Sequence, residues 1–317
     1  MDPRSLTDLR TAADELVSIV TKHHIPDSFS PTAQALALLV VIIVTCYVAG
    51  FASGNYSQVD KLWSITPWLY VWIWALNAIG DARLLLMAFV STMWGIRLTL
   101  NFNRRGGYTW PPWLGDEDYR WAYVRKRFQQ AEHPWRFEIF HLGFICIFQN
   151  VLLFWIAAPA QVVYAARGTA APVGIADLIL TCAILGLIGL EGVSDQEQFD
   201  FQEEKYALLN LGVPKENLPV PFDDGFLHDG VFAWSRHPNY FAEQSIWVLM
   251  NLYPVLAAGG AFELNWAMGG VLVLIALFQG SIDLMETITK AKWPRYHKYI
   301  EQVPQLLPYG RGIKDED

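Results

Sequence analysis

The sequence predicts an all-α polytopic membrane protein of about seven transmembrane helices with a cytosolic C-terminus. Three observations carry that reading. The 317 residues are 53% hydrophobic and 17% charged, with a mean hydropathy of +0.22, whereas an ordinary soluble domain is about 25% charged. Seven stretches approach the roughly 20 apolar residues that a membrane helix needs; they fall at about 33–53, 62–80, 84–101, 139–159, 172–192, 239–259 and 264–285. Fourteen tryptophans and thirteen tyrosines suit a protein with two membrane interfaces to anchor.

Taken in order, residues 1–31 form an N-terminal segment with Asp2, Asp8, Asp14, Glu15 and Asp27. A secretory signal would have a basic start and a short apolar core, and neither is present. Leu6, Leu9, Leu16, Ile19 and Val20 have the rough helical spacing of a short interfacial helix. Residues 32–310 read as a single helical membrane domain, and 311–317 as an acidic tail. Trp63, Trp68, Trp72 and Trp74 cluster in the second span; Trp110, Trp113, Trp121 and Trp135 share the loop after the third. Pro214, Pro219 and Pro221, then Gly225 to Gly230, mark an irregular connection before the sixth span. The loops holding Lys61, Arg104 to Arg136, Lys205, Lys215 and Arg236, together with the tail, carry far more basic residues than the opposite side. That imbalance sets the C-terminus in the cytosol. An integral membrane protein of the endoplasmic reticulum is the expected setting.

Several function classes are disfavoured. A net charge of −8 and a pI near 5.4 argue against nucleic acid as a partner. There is no glycine-rich phosphate loop, no nucleophile elbow and no Cys/His spacing for zinc. Cys46, Cys146 and Cys182 each sit in an apolar run and read as buried free thiols.

The polar residues are more informative, because an ionisable side chain in lipid is costly unless it is paired or faces a wet cavity. On this topology they gather in one half of the bundle. Gln58, Asp60 and Lys61 open the second span, and Arg97, Asn101, Arg104 and Arg105 close the third. Glu191 and Asp195, one helical turn apart, end the fifth with Gln198 beyond. Arg236, His237, Asn239, Tyr240 and Glu243 open the sixth, where Pro238 suits a first helical turn. Gln279, Asp283 and Glu286 share a face at the end of the seventh. Helix ends meet water, so part of this clustering needs no function; Glu243 and Asp283 lie deeper and call for a partner or a role. Arginines, carboxylates, amides and aromatics beside apolar walls suit a large amphiphilic cofactor together with a lipid.

The chain resembles the steroid 5-alpha-reductase superfamily, in its branch of multispanning membrane proteins with a 3-oxo-5-alpha-steroid 4-dehydrogenase-like C-terminal domain. The resemblance spans roughly residues 55–310. It is carried by Gln58 to Ser64, Arg97 to Arg105, Glu191 to Gln202, Trp234 to Glu243, Trp293 to Tyr299 and Leu307 to Tyr309. It implies a seven-helix fold holding NADPH on the cytosolic side, and reduction of a carbon–carbon double bond in a lipid or steroid-like enone entering from the bilayer. It implies Asp60 as the carboxylate near the substrate carbonyl, with Gln58 or Val59 beside it. Asn101 stands where the steroid reductases have a catalytic tyrosine, a departure that touches the proton donor. Glu191, Asp195, Gln198, His237, Asn239, Tyr240 and Glu243 fall on cofactor-binding stretches, Arg104, Arg105 and Arg236 on candidate phosphate ligands, and Tyr296 on the closing tail. Membrane methyltransferases that use S-adenosylmethionine share a similar Arg-His-Pro segment. They remain the alternative, as does a non-catalytic lipid-binding relative.

Overall fold

The computed structural model describes residues 29–130, 134–310 and 312, and among these every regular element is helical. The interfacial helix expected within 1–31 lies outside the described residues, as does the acidic tail apart from Gly312. Five helical stretches are long and apolar enough to cross a membrane singly: Pro31–Ser53, Ala82–Arg104, Trp135–Ala157, Ile175–Asn210 and Met268–Lys292.

The first helix, α1 (Pro31–Ser53), begins where the Ser30 hydroxyl accepts from Ala33 N at 3.2 Å, with proline at its first position. It ends at Gly54, whose φ of 68° is a left-handed cap that a side chain would strain. Val40, Val41, Val44, Val48 and Phe51 point outward. An apolar exterior of this kind is what a lipid solvent demands.

The second expected span is broken into α2 (Gln58–Trp63) and α3 (Thr66–Leu76). The sixth is likewise α10 (Pro238–Met250) followed by α11 (Leu252–Ala257). A proline opens each of α3 and α10, where its missing N–H costs no ladder bond. Residues 238–257 at about 1.5 Å per residue still cover about 30 Å, so the broken segments join the same two ends of the bundle as the five long helices. At the far end the Ala171 N–H donates to the Ala257 carbonyl at 2.8 Å. There Arg83 also forms a buried fork on Asp177, at 2.7 and 3.1 Å, and reaches the carbonyls of Ala171 and Pro172. The Arg83 charge is thus fully coordinated although it lies inside the protein.

Helix α4 (Ala82–Arg104) starts with Asp81 accepting from Leu84 N. It presses on α3 so closely that a Cβ at Gly95 would sit 2.3 Å from the Trp68 ring. After a loop and the short α5 (Tyr119–Gln130), the fourth span is composite: α6 (Pro134–Phe140), a π-helical stretch His141–Phe148 and α7 (Gln149–Ala157). Phe140, Phe144 and Phe148 stack along it with centroids 5.0 and 5.2 Å apart. Beyond α8 (Pro159–Ala166), the long α9 (Ile175–Asn210) packs on α10 and α4. Its length of about 54 Å outruns the hydrocarbon core of about 30 Å, so its last turns leave the membrane. Helix α12 (Met268–Lys292) and the short α13 (Tyr296–Gln302) complete the chain.

Cys46 and Cys146 are buried as expected, but Cys182 is exposed on the outward face of α9. An apolar run that faces lipid looks the same in sequence as one that faces the core, so burial in the protein did not follow from hydrophobicity.

Candidate functional site

A cavity of about 600 Å³ opens in the half of the bundle where the polar span ends converge. One wall carries Asp60, Asn101, Arg105, Asp118, Arg120, Glu191, Asp195, Asn239, Tyr240 and Glu243; the other is apolar, with Phe140, Phe144, Leu277, Phe278 and Leu284.

Arg97 organises the polar wall. Its guanidinium meets Glu191 Oε1 and Asp195 Oδ2, each at 2.6 Å, and Glu243 Oε2 at 3.9 Å. Helix α4 delivers Arg97 and Asn101 four residues apart on one face, and α9 delivers Glu191 and Asp195 in the same way. Asn101 donates to Asp195 Oδ2 at 2.8 Å, and Asn239 from α10 to Oδ1 at 3.3 Å. Glu243 accepts from the indoles of Trp94 at 2.6 Å and Trp247 at 3.1 Å. Arg104 donates to Asn101 Oδ1 and to the Asp195 carbonyl, both at 2.9 Å, and lies over the Phe199 ring. One guanidinium therefore faces three carboxylates, and Glu191 Oε2 is buried without a hydrogen-bond partner. Buried polar atoms are normally satisfied, so this oxygen marks where a ligand donor fits.

Asp60 sits at the other end of the polar wall. Its Oδ2 accepts from Trp121 Nε1 at 2.6 Å. Arg120 is held by a fork on Asp118, at 2.8 and 2.9 Å.

Of the residues singled out by sequence, the structure brings Asp60, Asn101, Arg105, Glu191, Asp195, Asn239, Tyr240 and Glu243 to one cavity. Six others, Gln58, Arg104, Gln198, Arg236, His237 and Tyr296, lie outside its lining. Gln58 donates to the carbonyls of Asn55 and Trp113, straps down the loop before α5 and does not line the cavity. Lys61 does similar work, capping the carbonyls of Pro112 and Leu114. Arg104 stands behind the wall, spent on Asn101 and Asp195. Gln198 lies beyond the turn of α9 that faces the cavity. Arg236 forks onto Glu286 and donates to the Ile300 and Val303 carbonyls, while His237 Nε2 meets Glu286 Oε1 at 2.9 Å. These two pin the C-terminal tail to α12. Tyr296 packs in a separate cluster with Phe226 and Tyr299. The shared cause is that sequence gives the depth of a residue but not the azimuth of its helix.

Sequence reasoning noted Arg97 without giving it a role, and missed Trp94, Trp247, Trp121 and Arg120. A charge inside a span was a sufficient signal for Arg97. The indoles sit one turn from Arg97 and Glu243 and carried no signal of their own.

Fold and site together define a helical polytopic membrane protein whose buried, carboxylate-rich cavity adjoins an apolar wall. The family described as "Protein of unknown function (DUF1295)" matches residues 46–303, and the chain belongs to it. An uncharacterised protein of Schizosaccharomyces pombe is 35% identical over 310 residues, covering 91% of this chain and 84% of that one. No solved structure matches.

Proposed function

We propose that this protein is an NADPH-dependent reductase of the steroid 5-alpha-reductase superfamily. In this reading it saturates a carbon–carbon double bond conjugated to a carbonyl in a lipid, at the cytosolic face of the endoplasmic reticulum membrane. The single observation that carries the reading is one cavity joining Asp60, the Arg97-centred carboxylate cluster and a phenylalanine wall.

The residues fit the dinucleotide. Glu191 Oε2 is an unpartnered buried acceptor, and Asp195, Asn101 and Asn239 supply further acceptors and donors for a carboxamide and ribose hydroxyls. Arg105 lines the cavity and is the candidate for phosphate, since Arg104 and Arg236 are committed elsewhere. When bound, the nicotinamide supplies hydride. The protein's share is to hold the lipid carbonyl against a neutral acid and keep water out. Asp60 suits that acid because it lines the cavity beside the apolar wall and Trp121 fixes its orientation. Asn101 is no phenol and is tied to Asp195 and Arg104, so it acts as a cofactor-side strut.

Thermal stability of the purified protein with NADPH, with NADH and with S-adenosylmethionine tests the reading. NADPH is expected to raise the melting temperature. Stabilisation by the methyl donor alone sinks the proposal in favour of a methyltransferase. NADPH binding with no enone-dependent oxidation leaves a lipid-binding relative.

A further inference from the structure

The apolar wall of the cavity does not close. Helix α12 packs along α7, yet it makes next to no contact with α6 or the π-helical stretch before it. The two spans therefore diverge towards the cavity end. On the α12 side of the gap, Ala276, Gly280 and Leu284 line the cavity, and the first two are exposed. A Cβ built on Gly280 meets nothing within 4 Å. On the other side stand Phe140 and Phe144, stacked 5.0 Å apart. Asp60 stands beside this gap, since the Trp121 indole that donates to it lies 6.5 Å from the Phe140 ring.

Size fixes what the gap is for. A cavity of about 600 Å³ is that of a single drug-sized ligand. It does not enclose a dinucleotide and a whole long lipid together. A slot bounded by stacked rings and by alanine and glycine also suits one flexible chain better than a broad ring system. We infer that the gap between the Phe140–Phe144 ladder and the Ala276–Gly280 stripe is the exit for a substrate's linear hydrocarbon tail, with Gly280 setting its width. The substrate is then a long-chain lipid whose reactive head is inside and whose tail lies in the bilayer. The inference depends on the reductase reading only for the chemistry of the head.

The test uses the full chain in phosphatidylcholine nanodiscs. The probes are a palmityl-chain enone with a diazirine at the end of its tail and a propyl-chain enone with the same head. On irradiation, the long probe is expected to label residues 140–148 or 276–284. Gly280→Phe is expected to lower that labelling by about tenfold, the factor that roughly two methylenes of lost burial give. The NADPH melting shift stays unchanged, as does the binding of the propyl-chain enone. Gly186→Phe, at another exposed glycine with open space at its Cβ but away from the cavity, should behave as wild type. Labelling elsewhere, equal binding of the two probes, or an equal effect of Gly280→Phe on both overturns the inference. The wild-type labelling map decides the matter even if Gly280→Phe folds poorly. Labelling in the gap without an NADPH shift would overturn the reductase reading and leave the tail exit standing.

Discussion

Arg97→Met isolates what holds the polar wall together. The guanidinium makes two contacts of 2.6 Å, to Glu191 and Asp195, with side-chain exposures of 15%, 6% and 7% for the three residues. At an effective dielectric constant of about 20, two charges about 4 Å apart attract by about 4 kcal/mol, so two pairs give a gross attraction of about 8 kcal/mol. Desolvation costs several kcal/mol per buried ion and cancels most of it. Intact, the cluster therefore adds little net stability. The mutant is a different case, because methionine fills the volume but leaves Glu191, Asp195 and Glu243 facing one another without a cation. Breaking a buried pair from one side costs about 3–5 kcal/mol. Unfolding in mixed micelles with increasing sodium dodecyl sulphate, followed by tryptophan fluorescence, reads that loss. The compensated variant Arg97→Met/Glu191→Gln/Asp195→Asn should recover most of it, since it removes the two nearest charges with the cation and leaves Glu243 to the Trp94 and Trp247 indoles. A loss below about 1 kcal/mol for Arg97→Met, the range of an exposed pair, would refute the reasoning. So would a triple variant no more stable than the single one.

Three further outcomes are expected. Asp60→Asn should abolish enone-dependent NADPH oxidation while NADPH still raises the melting temperature; retained turnover would remove Asp60 from the chemistry. Arg236→Ala leaves buried Glu286 with His237 alone and strands two tail carbonyls, so about 3–5 kcal/mol should be lost and trypsin should reach Lys298 faster, with NADPH affinity in the surviving fold largely kept. Gly95→Val places its Cβ 2.6 Å from the Ser64 carbonyl oxygen and against the Trp68 ring, with two further methyls to fit, and overpacking of that kind should cost about 1–3 kcal/mol, seen as a lower yield of monodisperse protein.

Much of the architecture was legible in the chain because a bilayer imposes a simple rule: roughly 20 apolar residues per crossing, with every backbone group bonded internally. The five long helices follow from that rule, and so does the gathering of Asp60, Asn101, Glu191, Asp195, Asn239 and Glu243 at one depth. The same rule says nothing of breaks such as the one between Trp63 and Thr66, since hydropathy averages across a turn. Nor does it tell a lipid-facing cysteine such as Cys182 from a core one such as Cys46.

The sequence by itself therefore determined an all-helical membrane protein and the level at which its polar groups lie, because burial in lipid depends on composition along the chain. Only the tertiary structure decided which of those groups meet. Arg97 became the hub, while Arg236 and His237 went to the tail and Gln58 to a loop strap. The physical reason is rotational. A helix can turn about its axis without changing its depth or its hydropathy, and packing against its neighbours selects the face that looks inward.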